Sequence, residues 1–295
     1  MSQEDSQLKT KSPLVVVGAG MAAYELFRRL ADAGALPGYS VTVVGEEPRP
    51  CYDRVNLTEC FSAKQPDDLL LASADWYAEN DIQLLTNVRV AEIDRQQRVI
   101  KGDDGREIPY QHLVLATGST PFVPPIAGTD LEGVFVYRTI EDIDAIKAYA
   151  PKCSSAAVLG GGLLGLEAGK ALYDLKLDAH VIEMAAGLMP RQLNADAATL
   201  LKQEVESLGV NVHVLRRTES IEADGDRRVI NFHGHDPLEV DMVVISAGIR
   251  PRDDLARAAD LEIGPRGGIV VDDKLATSDP QIYAIGECVC FDQQL

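Results

Sequence analysis

The sequence lacks the features that mark a disulfide-stabilised or membrane-spanning chain. Its five cysteines are odd in number and include no C-x-x-C pair, which excludes a disulfide framework and a thioredoxin-type redox pair. No run of about 18 apolar residues occurs, so no transmembrane helix is predicted. Residues 1–12 are polar without a signal-peptide apolar segment, and we expect a disordered tail there. These absences favour a cytoplasmic protein without a membrane partner.

Positive charge is also scarce. The 295 residues include 28 Lys and Arg against 46 Asp and Glu, and the formal net charge is −18. Such a chain is repelled by a phosphate backbone, which excludes nucleic acid as a partner. His233 and His235 lack zinc-ligand spacing, Cys288-x-Cys290 has no identifiable partner ligands, and no Ser-His-Asp arrangement is evident. We therefore predict no metal site and no hydrolytic triad.

What the sequence does contain is a pattern of buried strands and amphipathic helices. Residues 14–18 form a short apolar run that is typical of a buried parallel strand. Helical spacing follows over residues 21–33, with Gly34 as a stop signal, and residues 41–44 read as a second strand. Together these segments predict a βαβ unit.

The same pattern returns later in the chain. Residues 156–160, 164–175 and 179–183 again read as strand, helix and strand, which indicates an internal duplication. Further buried strands are predicted at residues 112–116, 241–246 and 281–285. An antiparallel pair is predicted at residues 88–93 and 98–101, with a turn at 103–105.

These elements predict an α/β fold class. We expect two Rossmann-like three-layer dinucleotide-binding domains, the second inserted into the first, with a small antiparallel β excursion in each. Pro121, Pro124 and Pro125 mark the place where the chain passes from the first domain to the second. We expect the chain to return to the first domain between residues 249 and 271. The predicted bounds are 13–122 and 265–295 for the first domain and 123–264 for the second.

The first strand-to-helix corner carries Gly18-x-Gly20-x-x-Ala23. Gly18 permits the tight turn, Gly20 lets the backbone approach a pyrophosphate, and Ala23 lets the helix pack near the strand. The helix N-terminus offers N–H groups and a positive dipole end to the phosphates. Glu46, or alternatively Glu47, is placed to bind the ribose hydroxyls.

The second corner repeats the design with Gly160, Gly162 and Gly165, and Glu183 ends the next strand. A carboxylate there binds a free 2′-hydroxyl and repels a 2′-phosphate, and no basic residue stands beside it in the sequence. We therefore predict NADH rather than NADPH at this corner. Two dinucleotides in one chain suit hydride transfer between them.

Four motifs together resemble the two-dinucleotide-binding FAD/NAD(P) oxidoreductases, the glutathione-reductase-like flavoproteins. They are Gly18-x-Gly20-x-x-Ala23, Ala116-Thr117-Gly118, Gly160-Gly-Gly162-x-x-Gly165-x-Glu167 and Ala284-Ile285-Gly286-Glu287. A second set of segments resembles the N-terminal flavin region of NADH-dependent nitrite reductase large subunits and of assimilatory nitrate reductase electron-transfer subunits. This set includes residues 46–57, 75–77, 137–142 and 188–193.

The resemblance implies FAD in the first domain, NADH in the second, and roles for individual residues. Arg54 lies where relatives place a basic residue near the flavin ring, with a surface ion pair to Asp53 or a neighbour as the alternative. Glu167 is implied near the nicotinamide–flavin junction, so Arg54 and Glu167 are the candidate catalytic residues. Further cofactor contacts are implied for Ala116, Thr117, Gly118, Gly248, Gly286 and Glu287.

In these terms the chain is expected to be a flavoprotein in which NADH reduces bound FAD, which passes electrons to an acceptor. Relatives continue well past the Gly286-Glu287 motif into an interface region that forms a homodimer. Nitrite reductases then add iron–sulfur and siroheme modules. The expectation is therefore a fragment that lacks the interface domain and hands its electrons to such a module.

Three alternatives remain. The first is a disulfide or peroxide reductase that uses Cys51 or Cys60, although these residues do not form the C-x-x-x-x-C pair of such enzymes. The second is a ferredoxin- or rubredoxin-type reductase, which has the same chemistry with another acceptor. The third belongs to another class, a non-catalytic dinucleotide-binding module that senses redox state.

Overall fold

The structure is a computed structural model in which residues 11–294 are described. The chain divides into two compact units. The first unit comprises Met1–Asp53, Leu70–Ser119 and Pro251–Leu295, and the second comprises Arg54–Leu69 and Thr120–Arg250. The second unit is therefore inserted into the first in sequence, as predicted.

The described residues form twenty strands. They are β1 (Ser12–Val17), β2 (Tyr39–Val44), β3 (Ile82–Leu85), β4 (Val90–Asp94), β5 (Val99–Gly102), β6 (Glu107–Pro109), β7 (His112–Leu115), β8 (Ser119–Pro121), β9 (Val134–Val136), β10 (Ser155–Leu159), β11 (Asp178–Ile182), β12 (Asn211–His213), β13 (Thr218–Asp224), β14 (Arg227–Phe232), β15 (His235–Val240), β16 (Met242–Ile245), β17 (Ile249–Pro251), β18 (Ile269–Val271), β19 (Ile282–Ala284) and β20 (Val289–Phe291).

The described residues also form six α-helices and five short 3₁₀ segments. The helices are α1 (Met21–Asp32), α2 (Ala74–Glu79), α3 (Ile140–Tyr149), α4 (Leu163–Asp174), α5 (Ala195–Ser207) and α6 (Asp254–Ala258). The 3₁₀ segments are Leu36–Gly38, Leu57–Phe61, Pro66–Leu69, Ala150–Lys152 and Gly286–Cys288. No helix among these is long and apolar enough to cross a membrane.

The first unit is built on a five-stranded parallel sheet of order β19-β7-β1-β2-β3. Successive residues of β1 point to opposite faces, so Val16 packs with Phe27 and Tyr77 of the helices, whereas Val15 packs with Ile100. The latter face is covered by the antiparallel sheet β4-β5-β6 and by α6. This gives three layers, and it explains why residues 14–17 of β1 are all apolar and buried.

The second unit repeats the arrangement with a five-stranded parallel sheet of order β12-β11-β10-β16-β9. α4 packs against β10 and β11, and α5 packs against β12. The antiparallel sheet β13-β14-β15 supplies Ile221, Ile230 and Phe232 to a core that also contains Leu159 and Val243. The predicted fold class, with an antiparallel excursion in each half, is therefore confirmed.

The predicted ends of the helices and strands lie within one or two residues of the observed ends. α1 ends one residue before its predicted end, and Gly34 has the left-handed φ of +63° that stops a helix. The predicted tail differs at Ser12, which begins β1 and pairs with Tyr39. Residues 1–10 of that predicted tail lie outside the described part of the chain.

The unit bounds differ from the predicted domain bounds at residues 54–69, 120–122 and 251–264. Residues 251–264 belong to the first unit because Ala256 and Leu261 pack into its core beside Ile100. Residues 54–69 belong to the second unit, where the Phe61 ring lies 5.8 Å from the Tyr137 ring. Both assignments depend on tertiary packing that neither segment shows in its own sequence.

Candidate dinucleotide-binding sites

The first glycine corner follows β1 in the first unit. Gly18 has φ +106°, its N–H donates to the Val44 carbonyl at 2.8 Å, and a Cβ on it would lie 2.1 Å from the Ala116 oxygen. Only glycine fits a backbone held this close to two neighbouring strands. At Gly20, by contrast, a Cβ would meet no described heavy atom within 4 Å. The corner is therefore closely packed at Gly18 and open at Gly20.

The second corner, in the second unit, has the same geometry. Gly160 has φ +131°, its N–H donates to the Ile182 carbonyl at 2.8 Å, and a Cβ would lie 2.2 Å from the Ser246 oxygen. Gly162 again has no described heavy atom within 4 Å of a Cβ position. The two halves thus build the same corner from different sequences.

The third position of each motif packs the helix onto the corner. A Cβ on Gly165 would lie 2.0 Å from the Gly160 oxygen, which requires glycine. The equivalent Ala23 is only 1% exposed, and its methyl group fits within the first core. The small residues predicted at both positions therefore serve close helix–strand packing.

Both helices present uncapped N-termini to these corners. The first bond within α1 runs from the Tyr24 N–H to the Gly20 carbonyl at 3.1 Å, and in α4 from Leu166 to Gly162 at 3.0 Å. In the described chain, neither helix has a side-chain cap or an acidic residue in its first turn. N–H groups before those first bonds and the positive helix dipole suit a diphosphate, and the open space at Gly20 and Gly162 accommodates one.

Glu46 lies after β2, as predicted, but it is engaged by a residue that sequence reasoning missed. The Arg252 guanidinium bonds both carboxylate oxygens of Glu46, with Nη2 2.8 Å from Oε2. Glu47, the alternative, accepts a bond from the Tyr52 hydroxyl at 2.7 Å. The Glu46 carboxylate is therefore engaged in an ion pair with Arg252.

The other predicted contacts of the first unit surround the same corner. Ala116 supplies the carbonyl that contacts Gly18, and the Thr117 hydroxyl donates to the Arg252 carbonyl at 2.7 Å. Gly118 has φ +67°, and a Cβ on it would meet no described heavy atom within 4 Å. At Gly286 a Cβ would come 3.0 Å from that of Ala22 in the first turn of α1. The structure thus brings two distant motifs to the N-terminus of one helix.

The acidic residue of the second motif has its own partner. Ser119, 7% exposed, donates its hydroxyl to Glu287 Oε2 at 2.8 Å. This bond holds the longer glutamate side chain in one direction, and Glu287 itself is exposed. As a carboxylate, Glu287 is a hydrogen-bond acceptor.

In the second unit, Glu183 is fixed by backbone groups. Its Oε2 accepts the Gly161 N–H at 2.8 Å, and its Oε1 accepts the Ala185 N–H at 2.7 Å. The carboxylate is thereby held at the corner with lone pairs left for ribose hydroxyls. The backbone N–H of Arg216 also donates to the Glu183 carbonyl at 3.0 Å, whereas the Arg216 guanidinium contacts His235 Nε2 at 3.1 Å.

The predicted catalytic residues also lie in the second unit. Arg54 donates from Nη1 to the Arg138 carbonyl at 3.2 Å. Glu167, in the second turn of α4, accepts the Thr58 hydroxyl at 3.2 Å, and that hydroxyl also contacts the Tyr137 hydroxyl at 2.5 Å. Burial, moderated by the bond to Thr58, raises the pKa of Tyr137 to about 12. This network, absent from the predictions, orients Glu167.

Gly248 ends the segment after β16 with φ +114° and open space at its Cβ position. Its carbonyl accepts the Phe122 N–H at 2.8 Å. The residue therefore lies at the carboxyl edge of the second parallel sheet, where ligands of such sheets bind.

The cysteines offer no exposed thiol at these corners. All five are free, and Cys51 and Cys60 are 1% and 3% exposed. Burial raises the pKa of the Cys60 thiol, which disfavours its nucleophilic thiolate form. Cys288 and Cys290 are also buried, and the described residues contain no group of three or more side chains that could hold a metal ion.

Comparison with known proteins agrees with this geometry. A model of the pyridine nucleotide-disulphide oxidoreductase family matches residues 12–295. The chain belongs to this family. The predicted relationship, fold and oxidoreductase class are confirmed, and FAD and a nicotinamide dinucleotide agree with the family and with the two corners.

Several individual relatives are similar to this oxidoreductase. It is 43% identical over 288 residues to the nitrite reductase (NADH) large subunit of Escherichia coli (strain K12), covering 97% of this chain and 34% of that protein. It is 38% identical over 279 residues to the assimilatory nitrate reductase electron transfer subunit of Bacillus subtilis (strain 168), covering 94% and 36%. The chain thus spans about a third of the length of these relatives.

Among solved structures, a ferredoxin reductase for the CYP199A2 system from Rhodopseudomonas palustris is similar to this oxidoreductase. The TM-score is 0.89 at 28% sequence identity, over 96% of this chain and 69% of that one. The architecture is therefore shared with this ferredoxin reductase.

Proposed function

We propose that the chain is an NADH-oxidising flavoprotein, with FAD at the Gly18 corner and NADH at the Gly160 corner. The observation that carries the proposal is the repetition of one corner geometry. Gly18 and Gly160 each press a tight turn against a neighbouring strand, and Gly20 and Gly162 each leave open space at a helix N-terminus. When bound, the two cofactors supply the redox chemistry, a hydride passing from the nicotinamide to the flavin.

The residues of the chain bind and orient these groups. In the first unit, Glu46 accepts bonds from the adenosine ribose, and Glu287, held by Ser119, accepts them from the ribityl or diphosphate portion. In the second unit, Glu183 is preorganised by two backbone N–H groups to bind the ribose diol of NADH. A fixed carboxylate also repels a 2′-phosphate, which favours NADH over NADPH.

Arg54 and Glu167 are proposed for the reacting rings. Arg54 keeps a permanent positive charge that would stabilise an anionic reduced flavin. Glu167 is held by the Thr58 hydroxyl, which itself contacts buried Tyr137. The hydride step needs no nucleophile from the protein, since the cofactors carry the chemistry.

An anaerobic titration of the FAD-loaded chain with NADH and with NADPH tests the proposal. We expect NADH to bleach the visible flavin band at lower concentration than NADPH does. Equal or easier bleaching by NADPH would contradict the role of Glu183. A chain that bound dinucleotide but never transferred a hydride to FAD would instead support the non-catalytic sensor.

Two variants separate the corners. Gly162→Asp places a carboxylate in open space where we expect the NADH diphosphate, so the protein should fold and keep FAD but lose bleaching by NADH. Gly20→Asp should instead lose FAD. Gly38→Asp is the matched control, because its Cβ position is also open and it lies outside both corners. Full bleaching by the Gly162→Asp protein would refute the assignment.

The acceptor is proposed to be a further redox module or protein. The names of the relatives favour a role in nitrite or nitrate reduction, and the chain spans about a third of their length. The iron–sulfur and siroheme module that the resemblance implies is the first candidate acceptor. A ferredoxin-type acceptor is the second candidate, favoured by the structural similarity to a ferredoxin reductase. Comparing reduction of ferredoxin and of a dye by the FAD-loaded chain distinguishes them. A cytoplasmic location and a homodimer stay predictions.

A further inference from the structure

Arg252 is anchored beside the first corner by its backbone. Its N–H donates to the Gly118 carbonyl at 2.9 Å, and its carbonyl accepts the Thr117 hydroxyl at 2.7 Å. Thr117 and Gly118 follow directly after β7. The backbone of Arg252 is therefore fixed beyond the carboxyl end of β7.

The side chain of Arg252 ends on a different strand. Its guanidinium bonds both oxygens of Glu46, which follows β2. In the sheet, β1 lies between β7 and β2, so these two ends are about 10 Å apart, two strand spacings. The arginine side chain consequently crosses the carboxyl end of β1, where the turn of Gly18 and Gly20 lies.

The ion pair is exposed enough to open. The Arg252 and Glu46 side chains are 31% and 40% exposed, and pairs of this kind contribute little to folding stability. The carboxylates of Glu47 and Asp254 also act on Arg252. The Arg252 guanidinium therefore brings positive charge to a part of the corner where carboxylates gather.

We propose that Arg252 is a cofactor-binding residue of the FAD site. Its guanidinium bonds Glu46 before FAD binds, and it bonds the FAD diphosphate once the ribose hydroxyls bond Glu46. The inference rests on the proposed function and adds to it a residue that the glycine motifs do not contain. When the guanidinium changes partner from the carboxylate to the diphosphate, one bidentate charge-assisted contact replaces another. The change of partner therefore costs little free energy. Removing Arg252, however, removes this bidentate contact.

The test measures FAD affinity rather than turnover. The dissociation constant of FAD is measured by quenching of flavin fluorescence, for the whole chain at low and high salt. We expect Arg252→Ala to raise it by about tenfold to a hundredfold, the size of one lost charge-assisted contact. The salt dependence should also become weaker, since one screened attraction is gone. The dissociation constant of the Arg252→Lys protein should lie between those of the wild type and of Arg252→Ala, because lysine keeps the charge without the bidentate geometry.

Arg257→Ala is the matched control. Arg257 lies in α6 of the same unit, is 60% exposed and pairs with Asp253 at 3.3 Å rather than with Glu46. Its removal should leave FAD affinity unchanged. Arg252→Gln gives a second variant that retains most of the side-chain volume should the alanine protein be poorly folded by circular dichroism.

The outcomes separate this inference from the proposed function. A wild-type chain that bound no FAD would overturn both. Wild-type binding of FAD together with equal or tighter binding by the Arg252→Ala and Arg252→Gln proteins would overturn the inference alone, and would mark the Glu46 pair as an obstacle to FAD.

Discussion

Gly160 and Ser246 are so close that a Cβ atom on the glycine would lie 2.2 Å from the serine carbonyl oxygen. The contact joins the end of β10 to the residue that follows β16. Because β10 and β16 are paired along their length, neither backbone can withdraw without breaking the ladder. The Gly160 corner thus depends on glycine for a steric reason that is independent of any ligand.

Gly160→Ala should consequently damage both fold and binding. The methyl group meets backbone, and φ of +131° is strained for any L side chain. We expect NADH binding to be lost and the unfolding temperature of the second unit to fall. Gly225→Ala is the control: it has φ +56° with open space, so only strain of about 1–2 kcal/mol should appear. Calorimetry and NADH titration measure the two effects, and equal behaviour of both variants would contradict this account.

Glu183→Gln should reduce the preference for NADH. The amide of glutamine has one acceptor oxygen, so it cannot receive both the Gly161 and the Ala185 N–H as the carboxylate does. We expect NADH affinity to fall about tenfold, while NADPH is affected less because its 2′-phosphate no longer meets a fixed charge. The ratio of KM values for the two cofactors measures this. An unchanged ratio would remove Glu183 from the specificity argument, and Glu219→Gln, an exposed site, is the control.

Cys51→Ala should leave turnover intact. Cys51 is 1% exposed, and its Sγ lies 3.9 Å from the Tyr52 carbonyl, so the thiol is a packing group. The small cavity should cost about 1 kcal/mol of unfolding free energy. NADH-to-dye turnover of the FAD-loaded variant is the measurement, with half-buried Cys153→Ala as the control. A large loss confined to Cys51→Ala would revive the disulfide-reductase alternative.

Stability should fall on acidification in part through His213. Burial first, then the charge of neighbouring His180, lowers the pKa of His213 from its ordinary value of 6.5. His213 Nε2 lies 3.0 Å from His180 Nδ1, Arg216 and Lys202 lower the pKa further, and Glu206 opposes them. The unfolded state therefore binds more protons just below pH 6.5, so stability is highest above that value and falls as the pH drops toward the lowered pKa.

His213→Gln, which cannot be protonated, should lose less stability than the wild type between about pH 7.5 and about pH 5.5. Thermal unfolding at both pH values measures the difference, and an NMR titration of the His213 ring gives its pKa directly. A ring that titrates at or above its ordinary value would contradict the burial argument.

Much of the fold was predictable because the signals are local. The apolar runs at residues 14–18 and 156–160 predicted β1 and β10, and the glycine spacing predicted both corners, since each depends on residues near one another in the chain. The bounds of the two units depend on contacts between distant segments. Nothing within residues 54–69 indicates that Phe61 packs beside Tyr137 in the second unit.

The sequence by itself determined the family, the duplicated βαβ design and the glycine and acidic positions, because these follow from hydrophobic period and from backbone conformations that only small residues adopt. Tertiary structure alone decided which side chains surround them: Arg252 bonds Glu46, Ser119 bonds Glu287, and Thr58 lies between Tyr137 and Glu167. The physical reason is distance along the chain. Parallel strands bring their carboxyl ends to one edge whatever the sequence separation, and side-chain partners chosen at that edge leave no local pattern.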